Sequence, residues 1–322
     1  MKFDLAYCLS LDDKLSIYDV RDLNFDETIA FDSAKEHFQC PNDACRVAFD
    51  LSNGLTTFNA KNVNYVRTPH FKNTPSTRHV EDCPYASSTL PAAESDDGRE
   101  EHFPSELLLT RREYVRTPVT PAVAADRVRD GSSPASAARN AEHPAQESAP
   151  DKTRVFAHPV ECFVSNFADK ALLKRMPLKI GEHTAPYSSF FKNIEYLLDN
   201  KGLIYWGKIK KIEDFHGASF RIDFEDKVWF KKPEESKKKP YPVSVYLNKK
   251  LIDTYRKRTA FLEQINHAVD SDKPLFCFFY GVTPELKALP GKKNPAKPFE
   301  VFNANIENLD HFIIREAPGL DE

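Results

Sequence analysis

The chain has 322 residues, a formal net charge of -3, and hydrophobic and aromatic contents of 41% and 12%, enough for a sizeable core and, by length, two domains. No apolar run approaches the ~18 residues that cross a bilayer as a helix, and MKFDLAYCLSLDD meets acidic residues too early for a secretion signal. A cytoplasmic location is therefore expected, where paired cysteines more often bind metal or react than form disulfides.

Composition shifts along the chain. Mean hydropathy is -0.54, and 23 Pro stand against 10 Gly, which points to unfolded linker. Over 153–322 there are 28 Lys+Arg and 23 Asp+Glu, a surplus of five positive charges, while the remainder carries a net -8. A basic second half suits a polyanion partner, although an ordinary solvated surface has the same composition.

Residues 1–85 read as a small, mostly β unit. Leu9, Leu11, Leu15 and Ile17 flank Asp12-Asp13-Lys14, which suits a hairpin turn, and a second turn is predicted at Ser52-Asn53-Gly54. A unit this small has little core, and a bound metal would supply stability. Residues 86–152 are rich in Ala, Ser, Pro and charge without apolar period, and read as a flexible tether. Within it, HFPSELLLTRREY predicts a short helical island near 103–113, with Ser105 as cap and Leu107, Leu108 and Leu109 available to dock a protein partner. The pentapeptide YVRTP occurs at 65–69 and again at 114–118, without a wider repeat around it.

Residues 153–317 read as an α+β domain. Helical spacing is predicted in VECFVSNFADKALLKRM and in YSSFFKNIEYLLDN, where Phe190, Phe191, Ile194, Leu197 and Leu198 form a stripe. Strand-like runs follow at 203–212, 218–226, 227–232 and 242–248, then a helix over 249–269, then two closing runs. Strands, one helix, then two strands is the order of an OB-like barrel, and other small α+β folds share it.

Four residues carry metal-ligand chemistry. Cys40 and Cys45, then His79 and Cys83, give C-x4-C followed by H-x3-C. Each bend supplies two ligands, and thiolate with imidazole suits tetrahedral Zn2+. A Cys3His set fills all four positions, which makes the zinc site structural. His70 competes with His79 for the fourth place, but His79 shares a bend with Cys83; His37 lies further upstream. Cys8, Cys162 and Cys277 sit inside apolar runs and read as core.

The succession LAYCLSLDDKLSIYDV, FQCPNDAC, YVRTPHFKN and HVEDCPY resembles the N-terminal zinc-binding region of competence CoiA-like proteins and of uncharacterised bacterial mobile-element proteins. The resemblance covers about the first quarter of the chain. It implies that Cys40, Cys45, His79 and Cys83 are the ligands, and that His70-Phe71 matches an HF-x-H element whose second histidine is here Asn73. The spacing C-x4-C departs from the more usual two intervening residues. The resemblance further implies DNA-associated work in bacteria: uptake, processing, defence or mobile-element biology.

Such proteins usually carry a restriction-like nuclease region, in which an Asp and an acidic-x-Lys strand hold a divalent cation. Here Asp214, Glu225 and Lys227 are the residues available for that role, although EDFHGASFRIDFEDKVWF also reads as an ordinary half-exposed strand.

The second domain also interleaves positive charge with rings, as single-stranded nucleic acid binding requires. Lys208, Lys210 and Lys211 accompany Trp206. Lys231 and Lys232 adjoin Trp229, Lys237, Lys238 and Lys239 lie in a lysine loop, and Arg256, Lys257 and Arg258 follow Tyr255. The expectation is thus a non-enzymatic, zinc-containing, nucleic-acid-associated protein, with a protein-interaction adaptor and a metal-dependent nuclease as alternatives.

Overall fold

Asp12 makes the first reversal of the chain. Its φ is +50°, a left-handed conformation that Asp tolerates, and it joins β2 (Leu5–Cys8) to β3 (Asp13–Ser16) after the short β1 (Lys2–Phe3). The computed structural model describes residues 2–3, 5–64, 69–81, 83, 85–86, 104–111, 114, 152–197, 202–289, 298–317 and 320. Most of the 86–152 segment and most of both YVRTP copies lie outside these residues.

β3 runs directly into α1 (Ile17–Phe25), which strand alternation does not anticipate. The local cause is a capping box: Asp19 N donates to Ser16 Oγ at 3.1 Å, and Ser16 N donates to Asp19 Oδ2 at 3.0 Å. β4 (Phe38–Gln39), α2 (Asp43–Ala48), β5 (Gly54–Phe58) and β6 (His70–Asn73) follow. The six strands form one sheet in the order β1-β6-β5-β4-β2-β3.

The segment near 103–113 is not a helical island. Its described part contains β7 (Glu106–Leu107), which pairs in parallel with β8 (Lys152–Thr153) on one side and with β9 (Pro177–Ile180) on the other. Leu108 N donates to Thr153 O at 2.8 Å and Lys179 N to Ser105 O at 2.7 Å. Two neighbouring strands satisfy the backbone here, and that outweighs the helix preference of three leucines. Leu107 is 1% exposed, so it is packed within this chain. β10 (His183–Pro186) completes this four-stranded sheet.

α3 (Ala157–Ser165) and α4 (Lys170–Arg175) match the predicted helical spacing. The helix predicted from 187 survives for one turn, α5 (Tyr187–Phe190). The chain then becomes β11 (Phe191–Asn193), because it pairs in parallel with β12 (Ile204–Asp214). β13 (Phe220–Phe230) and β14 (Lys239–Leu247) continue the meander. The helix predicted over 249–269 is divided into α6 (Lys249–Asp253) and α7 (Arg258–Val269). β15 (Leu275–Tyr280), β16 (Glu285–Leu289), β17 (Phe299–Asn305) and β18 (Phe312–Glu316) close an eight-stranded mixed sheet in the order β16-β17-β14-β13-β12-β15-β18, with β11 attached to β12. The protein is therefore α+β and mostly sheet.

Period-2 alternation in β12 and β15 divides the core. Trp206, Phe276 and Phe278 enter one apolar cluster, while Tyr205, Cys277 and Phe279 enter another. Both faces of these strands are covered, which explains the unbroken apolar run LFCFFY. The first cluster draws on both sides of the 86–152 segment: Leu15, Val20, Phe38 and Phe71 share it with Phe156, Phe163, Tyr187 and Trp206. Residues before 85 and after 153 thus bury apolar surface together. Cys8, Cys162 and Cys277 are buried core residues, as their apolar context predicts. No helix among the described residues is long and apolar enough to cross a membrane.

Candidate metal centre

Cys40 leaves the end of β4, and Asn42 turns the chain into α2 by accepting from Ala44 N at 2.9 Å. That turn places Cys45 on the first turn of α2. Arg46 holds the bend from outside: its Nη1 donates to Pro41 O at 2.8 Å and Cys40 O at 3.2 Å, and its guanidinium lies 4.0 Å from the Tyr7 ring centre. The second bend is tied to the first by Asn53, whose Nδ2 donates to Arg78 O at 2.8 Å. Val80 N donates to Cys45 Sγ at 3.4 Å, and Cys83 N to Val80 O at 3.2 Å.

These contacts bring the four predicted ligands together. Their ligand atoms all lie within 4.8 Å of one another, and the cluster could hold a metal ion. Cys40 Sγ is 3.7 Å from Cys83 Sγ; His79 Nδ1 is 3.4 Å from Cys83 Sγ and 3.8 Å from Cys45 Sγ. All three thiols are free and buried, and no disulfide joins them. Phe49, Val80 and Tyr85 pack against them. Burial pushes the Cys40 and Cys45 thiols up and pulls the His79 imidazole down, so the pocket disfavours bare thiolates and favours neutral histidine. A cation at the centre reverses the penalty on thiolate.

The geometry also resolves the choice of histidine. His70 lies on β6, 8% exposed, with its ring 4.8 Å from that of Phe58. His37 packs beside Gly54 and is not in the cluster. Asn73, in contrast, reaches it indirectly: its Oδ1 is 3.3 Å from His79 Nε2. Ligand spacing gives no hint of this role, although Asn73 stands where the HF-x-H element carries histidine.

The basic residues divide into three groups. Arg256 and Lys257 are not on an open surface; their side chains are 13% and 15% exposed. Arg256 donates to Asp26 Oδ2 at 2.8 Å, to Asp22 Oδ2 at 2.8 Å and to Asp310 Oδ1 at 3.0 Å; Lys257 donates to Asp22 at 2.5 Å and lies 2.7 Å from Asp310. Carboxylates of α1 and of the chain before β18 thus occupy the cations expected to meet phosphate. This network lies at the break between α6 and α7. The spacing of Asp22 and Asp26, one helical turn apart, was the available signal for it.

A second group is paired with nearby carboxylates. Lys208 lies 3.5 Å from Glu225, Lys211 3.1 Å from Glu213, Lys239 2.8 Å from Glu235 and Arg258 3.5 Å from Asp253; Lys232 contacts Glu300. The third group has no ion-pair partner among the described residues: Lys210, Lys231, Lys237 and Lys238, all exposed. The last three surround the β13–β14 turn with Trp229, 61% exposed, and Phe230, 39% exposed. Trp206 is core, 8% exposed.

Asp214, Glu225 and Lys227 do not converge. Asp214 pairs with Phe220 across the β12–β13 hairpin and accepts from Gly217 N at 2.6 Å. Glu225 lies five residues further along β13, about 16 Å at the usual strand rise. Among the described residues, Cys40, Cys45, His79 and Cys83 are the sole group placed to hold a metal.

Compared with protein-family models, curated proteins and solved structures, the chain matches none.

Proposed function

We propose that the protein is a nucleic-acid-associated zinc protein. The Cys3His cluster holds a structural Zn2+, and the β13–β14 end contacts a single strand. Two lines support zinc. Tetrahedral Zn2+ with ordinary bond lengths sets S···S edges of about 3.8 Å and S···N edges of about 3.6 Å. Three of the six separations are 3.7, 3.4 and 3.8 Å, and all six lie within 4.8 Å. Thiolate and imidazole are also zinc's preferred donors, and four protein ligands leave no open position for an activated water.

The observation that carries the nucleic-acid reading is the β13–β14 end. A tryptophan 61% exposed, beside Lys231, Lys237 and Lys238, which have no ion-pair partner among the described residues, is suited to base stacking. The sheet pairing fits an OB-like barrel: β12, β13 and β14 form a meander, helices follow, β15 pairs antiparallel with β12, and β17 pairs parallel with β14. In that fold the face of the second and third strands binds oligonucleotides, and in this reading β13 and β14 take those places. The N-terminal resemblance to competence CoiA-like proteins points to the same DNA-associated, bacterial setting.

Fluorescence anisotropy of the full-length protein with a labelled single-stranded oligonucleotide tests this. Binding should weaken with salt, and Trp229→Ala should cost about 1–3 kcal/mol. An unchanged affinity for Trp229→Ala, or no binding at low salt, removes the nucleic-acid reading. An adaptor reading is favoured by one different observation: Val47 on α2 is 83% exposed and Leu51 40%, both next to the metal centre. It predicts that Val47→Glu, and not Trp229→Ala, abolishes partner capture.

A further inference from the structure

A cavity lies where α1, residues 109–111 and 114, the start of α3 and the 255–264 region meet. Its volume is about 220 Å3. That is below the ~300–1,000 Å3 of drug-sized sites, so it suits one ring with one charged group. Its lining is mixed in a specific way. Five side chains are cationic: Arg21, Arg111, Arg154, Arg256 and Lys257. Three carboxylates, Asp22, Asp26 and Asp310, neutralise three of them, since Arg111 lies 2.6 Å from Asp26 and Arg256 and Lys257 are held as described. Asp19 also lines the cavity, but it is bound to Ser16 in the cap of α1. A net positive charge remains.

One detail gives that charge a direction. Arg154 is exposed at the rim and has no hydrogen-bond or ion-pair partner among the described residues. A solvated arginine at a surface is ordinary. One that overhangs a cavity of net positive charge is set for an incoming acceptor. Apolar and aromatic surface completes the lining, from Phe25, Tyr114 and Phe156.

We propose that this cavity is a binding site for a small phosphomonoester carrying a planar ring, of nucleoside-monophosphate size, with Arg154 as its principal phosphate ligand. The site is independent of the β13–β14 end and stands without it. The same chemistry is presented by a free nucleotide and by the 5′-phosphorylated end of a strand.

The test is calorimetry on the full-length protein with AMP, adenosine and inorganic phosphate, and with a short oligonucleotide bearing either a 5′-phosphate or a 5′-hydroxyl. AMP or the 5′-phosphorylated strand should bind at least tenfold more tightly than adenosine, phosphate alone or the 5′-hydroxyl strand. Whichever of the two leads identifies the source. Arg154→Glu should weaken that binding at least tenfold with an unchanged unfolding temperature. Ala260→Trp, which fills the cavity from α7, should abolish it. Absence of heat from every phosphorylated probe at millimolar concentration overturns the proposal, as does equal binding by the wild type and both variants.

Discussion

His79 Nε2 lies 3.3 Å from Asn73 Oδ1, which leaves Nδ1 directed at the sulfurs of Cys83 and Cys45. An amide oxygen can only accept, so Nε2 carries the proton and Nδ1 offers its lone pair to the cluster. Partners of this kind fix the tautomer and ring orientation of a ligating histidine. Asn73→Ala is expected to lower metal affinity by about 10–100-fold, read by competition with a chromophoric chelator. Wild-type affinity in that variant would remove Asn73 from the orienting role.

Loss of one ligand should destabilise the whole first sheet, because Cys40 and Cys45 sit at the ends of β4 and α2 while Cys83 belongs to the distant second bend. Purified protein is expected to contain one zinc per chain by elemental analysis. Cys45→Ser should lower the unfolding temperature by about 10 °C or more, the size of a 3–5 kcal/mol loss in a domain of this class. The same melting curve with and without chelator would contradict a structural metal.

Arg256 bridges three carboxylates with its side chain 13% exposed, and Asp26 beneath it is 1% exposed. Removing the guanidinium strands buried charge, so Arg256→Ala should cost about 3–5 kcal/mol. Lys273→Ala, at the open pair with Glu316, should cost about 0–1 kcal/mol. Denaturant titration distinguishes the two, and comparable losses would show that the Arg256 network is not a special contributor.

The same network sets an acid limit. Burial alone would raise the Asp310 carboxyl, but Lys257 and Arg256 more than offset it and hold it at about 2. Asp26 is likewise lowered, against burial, by Thr28 and then Arg256 and Arg111. A carboxylate depressed in the folded state contributes stability above its unfolded value near 3.8, and loses it as pH falls toward 2. Stability in wild type should therefore decline from about pH 4 downward, and Asp310→Asn should flatten that decline. An equally steep acid limb in the variant would locate the acid sensitivity elsewhere.

Gly207 is where β12 passes under Ile194 and Phe224. A Cβ there would lie 2.7 Å from Ile194 Cγ2 and 2.9 Å from Phe224 Cδ1. Gly207→Ala should cost about 1–3 kcal/mol through overpacking. A neutral effect on the denaturation midpoint would mean that the Ile194 turn yields readily.

The metal ligands were legible because their chemistry is local: two cysteines on one bend, a histidine and a cysteine on another, in a chain with only six cysteines. β13 was legible for a similar reason, since Phe220, Ile222 and Phe224 alternate with Arg221 and Asp223 and only one face is buried, although the runs read separately at 218–226 and 227–232 form this one strand. The island at 106–107 was not. Its leucines prefer a helix, and only the arrival of two strands more than forty residues away in sequence makes extended backbone the better-bonded state.

What the sequence by itself determined is the donor set of the cluster and the alternation of the long strands, both properties of neighbours along the chain. What tertiary structure alone decided is the use of the charges. Arg256, Lys257, Lys231 and Lys238 look alike in the sequence. The first two face Asp22, Asp26 and Asp310, and the last two face solvent beside Trp229. A charge is defined by what lies within a few ångströms of it, and for these residues that neighbourhood is assembled by segments up to 235 positions apart.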